Sequence, residues 1–381
     1  MTPGARAAAA IGVLDRVLAG EAAEKALTNW GRASRFAGSG DRAAVRDLVY
    51  DALRQRRSAA ALGGGEAGRG LVLGLMRANG QEALFSGEGH APAPPAASEA
   101  GREPVGAEAL DLPDWLVPEL ERSLGERLAP VAEALRARAP VFLRVNLARG
   151  TAAGAQAALA GEGIVTRPHP LADTALEVVE GARRVQVSDA YRAGLVELQD
   201  ASSQAVVAGL PLAEGMRVLD HCAGGGGKTL AMAARAKLRL WAHDAAPRRM
   251  ADLPERAKRA GVKVTLTERP EASAPYDLAL VDAPCSGSGS WRRDPEGKWR
   301  LTPARLAELV GIQAAILDRV APMVAPGGWL GYATCSLLRV ENGDQAQAFL
   351  GRHPGWRLET ERSFTPLEGG DGFHLALFRR S

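Results

Sequence analysis

Asp282 and Cys285, in Val281-Asp-Ala-Pro-Cys-Ser-Gly-Ser-Gly289, and Cys335, in Ala333-Thr-Cys-Ser336, are residues whose types and setting could do chemistry. Each cysteine follows an apolar run, Asp277-Leu-Ala-Leu-Val281 in one case and Trp329-Leu-Gly-Tyr-Ala333 in the other, and enters a polar turn. Such runs predict buried strands, which puts both thiols and the Asp282 carboxylate at the carboxyl edge of a sheet. A lone strand-end cysteine is more often a small buried hydrophobe than a nucleophile. Two of them, one beside a carboxylate, point to function. Methylating an oxygen or an amine needs no thiol, because the acceptor already has a lone pair. Carbon 5 of a pyrimidine is a poor nucleophile until something adds at carbon 6, and a thiolate is soft enough to add there and to leave afterwards. A base must then remove the carbon 5 proton, and a carboxylate on the ring-nitrogen edge would hold the base.

A second constellation lies upstream, in Asp220-His-Cys-Ala-Gly-Gly-Gly-Gly-Lys-Thr229, between a predicted strand and a predicted helix. Its glycines let the backbone approach a ligand closely at a helix start. Two ligands compete for it. A P-loop wants Gly-x-x-x-x-Gly-Lys-Ser/Thr; Gly227, Lys228 and Thr229 fit its end, but Cys222 stands where its first glycine belongs. The glycine loop of a class I methyltransferase wants an acid on the first strand, here Asp220, and another at the next strand end, here Asp244. Asp244 falls near the spacing that ribose recognition takes in dinucleotide folds. His221 and His243 read as incidental neighbours of these loops, and Cys222 as structural.

The elements around these sites follow from periodicity. From about Ala5 to Ser58 the pattern is helical, with Asp41 a candidate N-cap for a second helix. Residues 87–104 turn to Gly, Pro, Ala and Ser, the composition of a linker. Pro113 and Asp114 suit a helix start. Strands at Val141–Val145 and Ala175–Val179, with a helix between, predict a small α/β module. From Met216 on, strands at 217–220, 238–242, 263–266, 278–281, 329–333 and 373–378 alternate with helices, the order of a doubly wound, mainly parallel sheet. The 381 residues suffice for two or three domains, and 46% hydrophobic with 24% charged residues is ordinary for a globular protein.

The net charge of +3 permits an anionic partner. Arg42, Arg46, Arg54, Arg56 and Arg57 form one basic group, for which a solvated helix face is as good a reading as a contact surface. Arg292, Arg293, Lys298 and Arg300, interleaved with Trp291 and Trp299, form another, and there phosphate and base contacts are expected. Three cysteines without a Cys-x-x-Cys argue against a disulfide framework or structural zinc, and they fit a reducing cytoplasm. No signal peptide and no membrane-spanning run is read in the sequence.

These motifs together resemble the RsmB/Nop/Sun family of RNA cytosine-5 methyltransferases. The resemblance rests on Asp220-x-Cys-Ala-x-x-Gly-Gly-Lys-Thr229, Asp244 with Arg249, Asp282-Ala-Pro-Cys-Ser-Gly-x-Gly289, Arg293-Asp-Pro-Glu-x-Lys-Trp299, and Ala333-Thr-Cys-Ser336 with Glu341-Asn342. Leu143-Arg-Val-Asn146 and Gln199-Asp-Ala-Ser-Ser-Gln204 extend it upstream, and Asp41-Arg42 with Leu48–Arg54 is similar to a NusB-like helical domain. It implies residues 1–85 as that RNA-binding domain, 86–107 as linker, 108–204 as a helical segment plus a small α/β RNA-binding module, and 205–381 as a class I (Rossmann-like) methyltransferase domain. It also implies Cys335 as the nucleophile, Cys285 as the aid to product release and Asp282 as the group that positions the base. S-adenosylmethionine would be held by Asp220, Cys222, Ala223, Gly224, Gly225, Gly226, Gly227, Lys228, Asp244, Arg249, Glu268 and Asp282, with no metal. Small-subunit ribosomal RNA is the implied partner, met by a monomer. The Ser286 after Cys285, together with Thr-Cys-Ser, distinguishes this pattern from DNA cytosine-5 methyltransferases, in which the Pro-Cys cysteine attacks. Gly224-Gly225 replace the Ala-Pro usual in the family. A non-catalytic ribosome-assembly protein that kept the fold is the rival reading.

Overall fold

The computed structural model describes residues 1–381. They form two compact units, residues 1–138 with 291–300, and residues 139–290 with 301–381. The first is helical: α1 (Pro3–Leu18), α2 (Ala23–Ala33), α3 (Ser39–Arg54), α4 (Arg56–Gly63), α5 (Gly68–Ala78), α6 (Val117–Leu124) and α7 (Leu128–Arg136). Val13, Leu14, Val45, Val49, Leu71 and Leu73 are among the residues of its core, each a side chain whose burial is worth roughly 2 kcal/mol. Asp41 is not the cap of α3. Gly38 is, and Asp41 sits three residues in, where its carboxylate accepts from the Gly38 N–H at 3.3 Å and from the Met1 ammonium at 3.2 Å. The start of α4 is held from a distance: buried Asp111 accepts from the Arg57 and Ser58 N–H groups at 3.0 and 2.9 Å, donors that a helix start leaves unpaired.

The Gly/Pro/Ala stretch with linker composition lies against this unit. Arg69 on α5 pairs with the Glu99 carboxylate at 2.5 Å and donates to the Ala93 and Pro94 carbonyls at 3.0 and 3.2 Å, and Arg77 donates to the Glu99 carbonyl at 2.7 Å. Two arginines thereby satisfy a backbone that has no ladder of its own. The compact unit runs on to Arg138, beyond the 86–107 linker that the family resemblance implies.

The second unit holds two sheets. β1 (Val141–Val145), α8 (Ala152–Gly161), β2 (Val165–Pro168), β3 (Ala175–Glu180), α9 (Asp189–Arg192) and β4 (Val196–Leu198) make a four-stranded antiparallel sheet in the order β2-β3-β1-β4. Beyond it come α10 (Ala201–Ala208), β5 (Arg217–Asp220), α11 (Gly227–Ala233), β6 (Arg239–Ala242), α12 (Leu253–Ala260), β7 (Val264–Leu266) and β8 (Tyr276–Asp282). The chain ends with α13 (Pro295–Arg300), α14 (Pro303–Val320), β9 (Val324–Thr334), α15 (Gly343–Arg352), β10 (Trp356–Phe364) and β11 (Phe373–Arg380). The larger sheet has the order β10-β11-β9-β8-β5-β6-β7, with β9-β8-β5-β6-β7 parallel and β10 and β11 antiparallel.

Alternation along β8 shows how the sheet is covered. Ala279 and Val281 pack with Leu317, Val320 and Phe349 on one face, while Leu278 and Leu280 pack with Val206, Val207 and Met232 on the other. From β5 the chain winds outward through β6 and β7, then returns to lay β8 on β5's other side. The crevice at that reversal is where open α/β sheets bind ligands.

Candidate active site

Asp220 ends β5 and is fully buried. Its Oδ2 accepts from Thr229 Oγ1 at 2.6 Å, but its Oδ1 has no partner. Burial pushes this carboxyl up to about 7. The loop from Cys222 to Gly227 wraps over the same edge. Gly224 stands at φ +50°, strained for any side chain, and a Cβ on Gly226 would meet Leu253 at 2.1 Å. Asp244, two residues past β6, accepts from the Gly224 and Ala246 N–H groups at 3.0 and 2.9 Å, and Arg249 lies 3.3 Å from it. Glu268, just past β7, is exposed on the same edge. From the small module, buried Arg144 donates to the Gly227 carbonyl at 2.7 Å and also holds Gln199.

This cradle fits an ammonium and a diol better than a triphosphate. An unpartnered buried carboxylate oxygen calls for a cation, and two carboxylates at adjacent strand ends repel phosphate. Lys228, which a P-loop would need for phosphate, donates to Asp282 at 2.7 Å. Burial works against the lysine's charge, but the Asp282 carboxylate outweighs it and raises its pKa. The residues that sequence assigns to one cofactor site thus divide: Asp220, the glycine loop and Asp244 form the cradle, and Lys228 turns to the aspartate of the reaction centre.

Cys285 and Cys335 meet with Sγ atoms 3.4 Å apart. The contact with Cys335, in which either thiol can donate, and then burial hold Cys285 well above an ordinary thiol. Cys335 is lowered by the same contact, which with the Lys228 ammonium outweighs burial and the Asp282 carboxylate. A carboxylate that sequence reasoning noted only as part of a motif braces both turns. Buried Glu341 accepts from the Ser286 N–H at 2.8 Å, from the Ser286 and Ser336 hydroxyls at 2.5 Å each, and from Gln313 Nε2 at 3.0 Å. Its position six residues after Cys335 was the available signal. Cys222 is half-buried, and burial together with the Asp220 carboxylate pushes its thiol up, away from the thiolate that reacts. His221 stacks on His243 at 4.7 Å, and burial lowers it to about 3, leaving it neutral. No group of His, Cys, Asp and Glu side chains is arranged to hold a metal.

The basic stretch after Cys285 requires a correction. Trp291, Arg292 and Lys298 are 2, 4 and 2% exposed, which removes them from contact with phosphate. They belong to the helical unit's interior: Arg54 Nε donates to the Arg292 carbonyl at 2.8 Å, and Lys298 Nζ to the Arg54 carbonyl at 3.1 Å. Arg54 leaves the solvated face for the same reason.

The crystal structure of PH0851 matches over 100% of this chain and 99% of its own, with TM-score 0.79 at 21% identity. That of NSun6 from Pyrococcus horikoshii with SFG matches over 72% of this chain and 99% of its own, with TM-score 0.63 at 18% identity. The fold is that of a class I methyltransferase with a helical N-terminal region. In sequence, residues 207–378 match the family described as 16S rRNA methyltransferase RsmB/F, and residues 112–186 match its ferredoxin-like domain. The ribosomal RNA small subunit methyltransferase B of Salmonella arizonae is 36% identical over 281 residues, covering 69% of this chain, and that of Salmonella newport is 36% identical over 282 residues. The chain spans 65% of the length of these curated relatives. It belongs to the RsmB/F methyltransferase family.

Proposed function

We propose that the protein transfers a methyl group from S-adenosylmethionine to carbon 5 of a cytosine in RNA, most simply small-subunit ribosomal RNA, the substrate in its relatives' names. The observation that carries this reading is the pair of thiols 3.4 Å apart beside the Lys228–Asp282 ion pair. Asp220, the loop from Cys222 through Ala223, Gly224, Gly225 and Gly226 to Gly227, Asp244 and Arg249 would hold the cofactor, with Glu268 at the rim. Bound there, S-adenosylmethionine supplies an electrophilic methyl group.

The protein's own residues do the rest. Cys335, the lower of the two thiols, adds to carbon 6, and the electron pair that this bond displaces makes carbon 5 nucleophilic. Asp282 holds the ring-nitrogen edge, and Lys228 fixes that carboxylate. After transfer a base, with Cys285 aiding, takes the carbon 5 proton; the electron pair of that C–H bond re-forms the ring double bond, and the bond from Cys335 to carbon 6 breaks with its pair returning to Cys335 as thiolate. Thiols this close need a reducing compartment, which supports a cytoplasmic setting. No helix is long and apolar enough to cross a membrane.

The test is transfer of label from S-adenosylmethionine to ribosomal RNA from cells that lack the gene. Wild type should label a cytosine, Cys335→Ala nothing, and Cys285→Ala should accumulate a covalent protein–RNA adduct. Activity surviving in Cys335→Ala would overturn the nucleophile assignment. Cofactor binding by wild type with no transfer to RNA or intact subunits would favour the assembly-protein reading.

A further inference from the structure

The two basic groups of the sequence meet in the helical unit, at Arg56 and Trp299. The Arg56 guanidinium lies 5.4 Å from the centre of the Trp299 ring, and the indole is fixed by its Nε1–H bond to the Leu53 carbonyl at 2.6 Å. Trp299 stays partly exposed while Trp291 and Lys298 are buried. Arg56 and Trp299 line a cavity of about 560 Å³, a size that admits a small ligand. Part of its wall is bare backbone at Gly64 and Gly65, with Gly64 at φ +73°.

The cavity's other arginines are neutralised: Arg57 by Asp114 at 2.7 Å, Arg102 by Glu108 at 2.7 Å. Arg56 has no carboxylate partner, and the one carboxylate on the wall that is not tied to an arginine is exposed Glu66. The Lys298 ammonium lies 4.7 Å from the same indole ring, so the surface left for stacking is the Arg56 guanidinium, which beside a wall without side chains takes a base by stacking and its phosphate by charge. The stacking demands an unpaired base.

We propose that this cavity binds one nucleotide of single-stranded RNA, as a contact separate from the methyl-transfer centre. The proposal rests on RNA being the substrate. The experiment is anisotropy titration of the full chain with a labelled single-stranded RNA of about 12 nucleotides at several salt concentrations. Arg56→Ala should weaken binding about 5- to 10-fold and reduce the salt slope by about 1. Glu66→Gln should tighten binding about 2-fold, a gain that misfolding would not mimic. Cross-linking through 5-bromouridine should mark the peptide that carries Trp299.

Unchanged affinity in both variants would overturn the proposal, as would equal competition by duplex RNA. If wild type methylates RNA and both variants bind as wild type does, the cavity proposal fails alone. If the variants shift binding as expected but wild type transfers no methyl group to any RNA, the proposed function fails and the cavity stands.

Discussion

Two lysines show what separates a working charge from a structural one. Lys228 and Lys298 are both buried, and each holds its ammonium over an aromatic ring, Phe373 at 4.9 Å and Trp299 at 4.7 Å. Their titration moves in opposite directions. Lys228 touches Asp282 at 2.7 Å and is raised despite its burial. Burial lowers Lys298 to about 7; Asp111 opposes the shift, but the ammonium donates to the uncharged Arg54 carbonyl, and Arg136 and Arg54 add repulsion. Both are buried, so the contacted carboxylate decides. Where a sheet edge gathers carboxylates, a buried lysine stays charged and can organise a reaction. Inside the helical unit it joins α13 to α3.

The largest way to break this comparison is Lys228→Met. It strips Asp282 of its partner and takes away a cation that helps to lower Cys335. Methyl transfer should fall by about 10² or more, the order found when one preorganised electrostatic contact is lost. Alkylation of Cys335 by iodoacetamide, followed against pH, should move to higher pH in the variant. An unmoved profile would mean that Lys228 does not tune the thiol.

Glu341→Ala should come next. It leaves donors from Ser286, Ser336 and Gln313 facing a cavity, at a cost of about 2–4 kcal/mol in urea unfolding. It should also loosen both cysteine turns together. Glu341→Gln, which keeps the shape and part of the bonding, should recover part of the stability. If Glu341→Ala changed activity and left stability alone, the carboxylate would be doing more than bracing.

Asp220→Asn sharpens the contrast from the acid side. A carboxyl raised from 3.8 to about 7 binds its proton more tightly folded than unfolded. Its ionisation therefore removes stability as pH rises between those values, and the loss is complete above 7. The asparagine variant should be more stable than wild type at pH 8 by about 1–3 kcal/mol, with the gap closing toward pH 4. Thermal unfolding in the absence of cofactor reads it directly.

Much of this edge was legible in the sequence. The strand-end positions of Asp220, Asp244, Asp282, Cys285 and Cys335 follow from apolar runs that end in turns, and the parallel order follows from alternation. Three strands escaped: β2, whose residues are mostly exposed, β4, with three residues, and β10, mostly exposed on the sheet's rim. β2 and β10 lack the buried run that marks β5, β8, β9 and β11, and β4 is too short to show one. The two lysines were not separable either: Lys298 reads as a phosphate contact in a basic stretch and Lys228 as part of a cofactor loop, and neither motif says which is paired with a carboxylate. What sorts them is which carbonyl or carboxylate the chain brings near from far away in sequence, and local pattern carries no record of that. The same holds for Arg69 and Arg77, which fix a stretch whose composition reads as linker.

The smallest expected effect tests Lys298 by its pH signature. Its folded pKa of about 7 lies below the 10.5 of an ordinary lysine. Between those values the unfolded chain binds the extra proton, so stability rises with pH across that window, and the penalty is fully present below 7. Lys298→Met has no such group, and its stability relative to wild type should be highest near pH 6 and decline as pH approaches 10. The span should be on the order of 2 kcal/mol, well below the full electrostatic cost, because a buried amine relaxes toward its surroundings. The methionine also leaves the Arg54 carbonyl without its donor, which lowers the variant at every pH and does not alter the slope. Chemical unfolding of both proteins at pH 6, 8 and 9.5 separates the two contributions. Parallel curves would show that Lys298 keeps its charge, with Asp111 as the partner that holds it.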